Sequence, residues 1–117
     1  MQECARWLLK ENGLRNLKFK TKLVYLISPN RIYSRFYSDL AAVLKTKKVK
    51  YFQLRLKKAS NNEIFYVSKK IKKICKRYNV KFIINDNPLI AKAVGADGCH
   101  LGQTDMSIKN ARKIIIL

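Results

Sequence analysis

The fold is decided by the stretch VKFIINDNPLIAKAVGADGCHLG, residues 80–102. It begins with an apolar, β-branched run that predicts a buried strand over 80–85. Asn87 is suited to cap a short helix, and Gly95 is suited to end it. The segment ADGCHLG predicts a further strand over 96–102. The stretch therefore indicates a strand, a helix and a second strand, the unit from which parallel sheets are built.

Upstream of this unit, strand and helix patterns alternate twice more. The predicted elements are strands over 22–28 and 49–57 and helices over 34–45 and 60–78. The longest helix opens with a capping box formed by Ser60 and Glu63. A further helix is predicted over 107–113. The chain therefore predicts a parallel (βα)4 unit, either a doubly wound sheet or half of a (β/α)8 barrel. The absence of a GxGxxG motif or P-loop weakens the nucleotide-binding alternative.

Length and pattern together predict one domain with an amino-terminal extension. A chain of 117 residues is at most one domain. Residues 2–12 predict a short helix, which a basic connector links to the first strand. We therefore assign 1–20 to an amino-terminal helix and connector, and 21–117 to the partial barrel.

The composition is strongly basic, with 26 Lys and Arg against 7 Asp and Glu and a formal net charge of +19. Such a charge indicates a nucleic-acid or anionic-membrane partner, or a coding sequence rich in A and T, whose codons favour Lys, Ile and Asn. The basic residues are spread along the chain, which favours the codon explanation, and we predict no nucleic-acid partner. The alternative stays open because basic and aromatic residues interleave in RIYSRFYS, residues 31–38.

Several features predict a cytoplasmic protein without a membrane partner. No apolar run reaches transmembrane length, and the amino terminus carries an early acid and only a brief apolar patch, unlike a signal peptide. Cys4, Cys75 and Cys99 are far apart and match no zinc-ligand spacing. They are typical of small core residues in a reducing compartment.

The predicted strand over 49–57 carries the first chemical signal. Alternation places Gln53, Arg55 and Lys57 on one face. The opposite face carries Phe52, Leu54 and Leu56. Arg grips phosphate oxygens with two donors and Lys adds a point charge, so the polar face suits an anion at the carboxyl end of the strand. Ligands of parallel α/β folds bind at these ends. The alternative is an exposed edge strand with a solvated side.

An aspartate lies at or soon after the end of each of the next two predicted strands. One strand ends in Asn85 and Asp86, and Asp105 closely follows the other. Because carboxyl ends of parallel strands share one edge, the two aspartates are predicted to approach each other. Two carboxylates suit Mg²⁺, which takes its remaining oxygens from water and substrate phosphates. Asp97, near the start of its strand, is interpreted as structural. His100 is more typical of a hydrogen-bonded core histidine than of a catalytic base.

Four phrases of the sequence together resemble the thiamine-phosphate synthase (thiamine-phosphate pyrophosphorylase) family. They are LVYLISP at 23–29, QLRLK at 53–57, IND at 84–86 and GADGCHLGQTD at 95–105. The resemblance implies a (β/α)8 barrel that joins a hydroxymethylpyrimidine diphosphate to a thiazole phosphate, giving thiamine phosphate and pyrophosphate.

The resemblance also implies roles for individual residues. The pyrimidine diphosphate would be bound by Gln53, Leu54, Arg55, Leu56, Lys57 and Asn85. Asp86 and Asp105 would bind Mg²⁺. Arg55 and Lys57 would act as catalytic residues, because departure of diphosphate needs charge neutralisation more than it needs a general base.

The resemblance covers only the first half of a barrel, which needs about 200 residues or more. The thiazole-phosphate half of the site has no counterpart here. We therefore expect a truncated enzyme, one half of a split enzyme, or a homo-oligomer that closes a barrel from two copies. Two alternatives stay open: a relative of the thiazole tautomerases, which share the fold, and a catalytically inactive fragment that acts as a binding protein.

Overall fold

The described residues of the computed structural model are 6–9 and 24–102. They form the following elements, in chain order: β1 (Arg6–Leu9), β2 (Val24–Ile27), α1 (Phe36–Lys45), β3 (Val49–Leu54), α2 (Asn61–Arg77), β4 (Lys81–Asn85), α3 (Pro88–Val94) and β5 (Gly98–Leu101). The helix predicted over 107–113 and the candidate ligand Asp105 lie outside the described residues.

One five-stranded sheet organises the molecule, with strand order β1-β5-β4-β3-β2. β2, β3, β4 and β5 are parallel to their neighbours. Each successive pair is joined through a helix, and all three helices pack on the same side of the sheet. The predicted parallel strand-and-helix unit is therefore confirmed.

The amino-terminal segment corrects one expectation. The sequence predicts a short helix over 2–12, but Arg6–Leu9 is a strand that runs antiparallel to β5. A short isolated helix is marginal in water, whereas the free edge of β5 offers a row of backbone donors and acceptors. Pairing with that edge therefore outweighs the weak helical pattern.

The helix-facing side of the sheet is apolar. Phe52 on β3 and Phe82 on β4 lie side by side, with ring centroids 6.4 Å apart, and both are almost fully buried. The same core includes Leu54, Ile84, Cys99 and Leu101 from the strands and Leu40, Leu44, Ile71 and Cys75 from the helices. Burial of this apolar surface is the main stabilising contribution to the fold.

An irregularity in the sheet adds one more residue to this core. Val24 pairs with Val49, and the next residue, Tyr25, pairs with Tyr51, so Lys50 is an extra residue on β3. Such a bulge shifts the alternation of side chains along a strand. Val49 consequently joins the helix-facing core, while Lys50 stays exposed.

The predicted helix ends are confirmed. The Ser60 hydroxyl accepts a hydrogen bond from the Glu63 amide at 3.2 Å, at the start of α2. The Asn87 side chain accepts one from the Ile90 amide at 3.1 Å, at the start of α3. Gly95 ends α3 with a φ of 72°, which disfavours residues with a Cβ. Within the described ranges, no helix has the length and apolar character needed to cross a membrane.

Candidate functional site

The side of the sheet away from the helices, here called the inner face, carries polar and aromatic side chains. The members described on β2 to β5 include Tyr25 on β2, Tyr51 and Gln53 on β3, Asn85 on β4 and His100 on β5, together with the apolar Ile83 on β4. The alternation of the strands that sends their neighbours toward the helices places these residues together. Gln53 is only 2% exposed, so a glutamine amide is held almost entirely away from solvent.

A chain of hydrogen bonds crosses the inner face. The Tyr25 hydroxyl donates to Gln53 Oε1 at 3.1 Å, and Gln53 Nε2 donates to Asn85 Oδ1 at 3.0 Å. His100 Nδ1 lies 3.1 Å from the same Asn85 oxygen. His100 is buried and hydrogen-bonded, as predicted, and its role in the chemistry stays a prediction. These side chains satisfy one another in a site where an unpaired polar group would be costly.

Tyr25 takes part in these hydrogen bonds, and the sequence analysis does not predict it as a site residue. Burial, and secondarily the neighbouring Tyr51 hydroxyl, raise the pKa of Tyr25 far above its ordinary value. The phenol therefore stays protonated and serves as a hydrogen-bond donor. The available signal is the presence of a tyrosine in the first predicted strand, because a tyrosine hydroxyl that becomes buried needs a hydrogen-bond partner.

Asp86 lies at the carboxyl end of β4, next to this chain. Its φ of 58° is a left-handed conformation that aspartate tolerates better than most residues. Its amide donates to the His100 carbonyl at 2.8 Å, which continues the pairing of β4 with β5. Its carboxylate accepts from Asn85 Nδ2 at 3.0 Å and from the Gly102 amide at 3.3 Å. The carboxylate is therefore held at the edge of the sheet predicted to bind ligands.

The two cationic residues, Arg55 and Lys57, follow β3 at the carboxyl edge of the sheet. The structure corrects the predicted strand over 49–57, which ends at Leu54, so Arg55 and Lys57 lie just beyond it. The strand ends there because Ser28, just after β2, supplies the next hydrogen bonds to this segment in place of regular strand pairing. Its amide donates to the Gln53 carbonyl at 2.9 Å, and its hydroxyl accepts from the Arg55 amide at 2.9 Å. Arg55 is half-buried and Lys57 is exposed.

Asp97 lies at the opposite end of the sheet from Asp86. Its Oδ2 accepts from the Phe82 amide at 2.8 Å, and its own amide donates to the Phe82 carbonyl at 2.9 Å. It thus closes the gap between the starts of β4 and β5. The interpretation of Asp97 as a structural residue is confirmed.

The donor set at the site is compatible with Mg²⁺. Asp86 supplies a carboxylate, the type of oxygen ligand that Mg²⁺ takes from proteins, at the carboxyl end of β4. Among residues 6–9 and 24–102, no group of three or more His, Cys, Asp or Glu side chains forms a metal cluster. Mg²⁺ is commonly bound through one or two carboxylates plus substrate phosphates, and does not require such a cluster. Asp105, the second expected ligand, lies outside the described residues.

The fold agrees with comparisons to known proteins. The family model for thiamine monophosphate synthase matches residues 24–116. The thiamine-phosphate synthase of Pelagibacter ubique is 59% identical over 99 residues, covering 84% of this chain and 48% of that protein. The thiamine-phosphate synthase of Prochlorococcus marinus is 41% identical over 108 residues, covering 92% of this chain and 31% of that protein.

A solved structure shows the same arrangement. The thiamine phosphate pyrophosphorylase of Pyrococcus furiosus superposes with a TM-score of 0.70 at 28% sequence identity, covering 79% of this chain and 45% of that one. The chain therefore spans about half the length of these two closely matching relatives, from Pelagibacter and Pyrococcus. The match corresponds to a half-barrel unit.

Proposed function

The chain belongs to the thiamine monophosphate synthase family, and from that premise we propose that it provides the pyrimidine-diphosphate half of a thiamine-phosphate synthase site. In this proposal a hydroxymethylpyrimidine diphosphate is coupled to a thiazole phosphate, and thiamine phosphate and pyrophosphate are released. The observation that carries the proposal is the convergence of Gln53, Asn85 and Asp86 at the carboxyl edge of the sheet.

The two amides suit the pyrimidine. Gln53 Nε2 uses one hydrogen on Asn85, and Asn85 Nδ2 uses one on Asp86, so each amide nitrogen keeps a second hydrogen. A pyrimidine ring presents nitrogen acceptors to such donors. Gln53 is buried and Asn85 is half-buried, and the hydrogen bond between them fixes their positions before the ligand arrives, which reduces the entropy lost on binding.

The charged residues suit the diphosphate. We propose that Arg55 and Lys57 contact its oxygens and neutralise the charge that accumulates as it leaves, the role of catalytic residues in this reaction. Asp86, with Asp105, would hold Mg²⁺, which supplies further charge neutralisation when bound. The methylene carbon attached to the pyrimidine ring loses its bond to the diphosphate oxygen, which leaves with pyrophosphate, and the thiazole nitrogen forms a new bond to that same carbon. The bond exchange itself takes no proton from the substrate, so no general base is assigned.

The acceptor half of the site is proposed to come from further protein. The chain spans 48% of its Pelagibacter relative, and the thiazole phosphate needs a binding site of its own. A complementing second half or a second copy of this chain would provide it. We place the reaction in the cytoplasm, where the buried free thiols of Cys75 and Cys99 remain reduced.

The proposal is tested by supplying both precursors and Mg²⁺ to the purified protein and measuring thiamine phosphate and pyrophosphate. The protein is assayed alone and with the second half of the Pelagibacter relative. We expect both products in at least one of these mixtures. Asp86→Asn is expected to abolish their formation, because a carboxylate at the diphosphate site is lost.

Asp97→Asn is the matched control, because this aspartate joins the same two strands at their opposite ends and an asparagine oxygen can still accept from Phe82. It is expected to retain product formation. No product in either mixture from folded protein would contradict the proposal, and equal activity in Asp86→Asn would contradict the assigned site. Binding of the pyrimidine diphosphate without turnover would favour a binding protein instead.

A further inference from the structure

The hydrogen bonds across the inner face run in one donor-to-acceptor order, and Asp86 determines that order. An ionised carboxylate only accepts hydrogen bonds, so the Asn85 group that faces it must be the amide nitrogen. The Gly102 amide occupies the other carboxylate oxygen, which fixes the orientation of Asp86 as well. The Asn85 oxygen is therefore turned toward the interior of the inner face.

That orientation determines every hydrogen bond that follows. The Asn85 oxygen lies within hydrogen-bond distance of both Gln53 Nε2 and His100 Nδ1, so both must donate. The Gln53 oxygen then faces Tyr25, whose protonated hydroxyl donates to it. A neutral His100 consequently carries its hydrogen on Nδ1 and leaves Nε2 without one.

We propose that Tyr25 and His100 are positioning residues that lock the amides of Gln53 and Asn85 in a single orientation. In that orientation both amide oxygens point toward donors of the protein, the Asn85 oxygen toward two and the Gln53 oxygen toward one, and each amide nitrogen keeps a second N–H hydrogen that a ligand can accept. The site therefore selects ligands that present hydrogen-bond acceptors, such as a ring nitrogen or a phosphate oxygen, and disfavours donor groups at the same place. The selection of substrate rests on the proposed function, whereas the donor-to-acceptor order of the inner-face hydrogen bonds does not.

The chain contains one histidine, so His100 can be observed without interference. Long-range ¹H–¹⁵N NMR spectra of ¹⁵N-labelled protein distinguish a protonated from an unprotonated ring nitrogen. At a pH where the imidazole is neutral, we expect Nδ1 to be protonated and Nε2 to be unprotonated. Protonation of Nε2 instead would overturn the proposal.

Asp86→Asn provides the decisive variant, because it keeps the shape of the side chain and a residue type that accepts a left-handed φ. The Asn85 Nδ2 and Gly102 amide donors face different oxygens of Asp86, and an asparagine replaces one of these oxygens with an NH2 group. We therefore expect the Asn85 amide to be free to turn around in a fraction of the molecules. Its nitrogen would then face His100, and we expect a measurable population with Nε2 protonated. An unchanged spectrum would contradict the proposal.

Asp39→Asn is the matched control, since Asp39 lies on α1 and contacts Tyr33 and Arg35, outside the inner face. It is expected to leave the His100 signals unchanged, and a change equal to that of Asp86→Asn would count against the proposal. The NMR readout is independent of catalysis. Protonated Nδ1 without thiamine phosphate formation would refute the proposed function alone, and protonated Nε2 in an active protein would refute the positioning role alone.

Discussion

The two sides of the sheet differ by a step of one residue along each strand. On β3, Phe52 faces the helices and packs against Phe82, while Gln53 faces the other way and bonds to Asn85. Both residues are almost fully buried, at 0% and 2% exposure. Burial therefore does not distinguish the residues that stabilise the fold from those assigned to the site. The number of hydrogen-bond partners that each side chain requires does distinguish them.

The largest expected effect comes from breaking the helix-facing side. Phe52→Ala would leave a cavity among the core residues and is expected to lower the free energy of unfolding by about 3–5 kcal/mol. Tyr66→Ala is the control, because that aromatic side chain is 69% exposed and should cost within about 0.5 kcal/mol. Urea unfolding followed by circular dichroism measures both. Equal costs for the two variants would show that the core has been misidentified.

A smaller effect is expected from the neighbouring residue on the inner face. Gln53→Met keeps the length of the side chain but removes the hydrogen bond that Gln53 makes with Tyr25 and the one that it makes with Asn85. We expect a loss of about 1–3 kcal/mol in unfolding free energy, the cost of unsatisfied buried groups. We also expect binding of the pyrimidine diphosphate to weaken, because an N–H donor disappears.

Phe52→Leu serves as the comparison for Gln53→Met, since it alters the same strand on the other side. Calorimetric titration should show that Phe52→Leu retains ligand binding in folded protein. Loss of binding in Phe52→Leu together with unchanged binding in Gln53→Met would reverse the assignment of the two faces.

The smallest expected effect on the free energy of unfolding occurs only at alkaline pH and involves Cys75, a buried thiol on the helix-facing side. Burial, and secondarily Asp97, raise the pKa of the Cys75 thiol from 9.0 to about 12. The folded state thus disfavours the thiolate, and this contribution to stability is present below about pH 9 and is lost as pH rises toward 12. The free energy of unfolding should fall less steeply over that interval in Cys75→Ala. Parallel curves for the two proteins would contradict the buried thiol.

Local signals in the sequence were sufficient for much of the fold. The cap at Ser60, the cap at Asn87 and the terminating Gly95 depend on residues within one helical turn, so their patterns predict them correctly. The polar edge formed by Asn85 and Asp86 follows from the rule that parallel strands end together.

What the sequence did not predict depends on contacts between distant segments. Arg6–Leu9 becomes a strand only because the edge of β5, about ninety positions later, offers partners. β3 ends at Leu54 because Ser28 intervenes. The partnership of Tyr25 with Gln53 spans 28 positions, and no local pattern encodes it.

We propose that the carboxyl edge of the inner face binds a magnesium-bound diphosphate. Isothermal titration of the protein with pyrophosphate in the presence of Mg²⁺ tests it most directly. We predict saturable binding that weakens by at least about tenfold in Asp86→Asn, since a contact to a charged group contributes about 1.5–3 kcal/mol. Asp97→Asn should bind like the unaltered protein. No saturable binding, or equal weakening by both substitutions, would contradict the account.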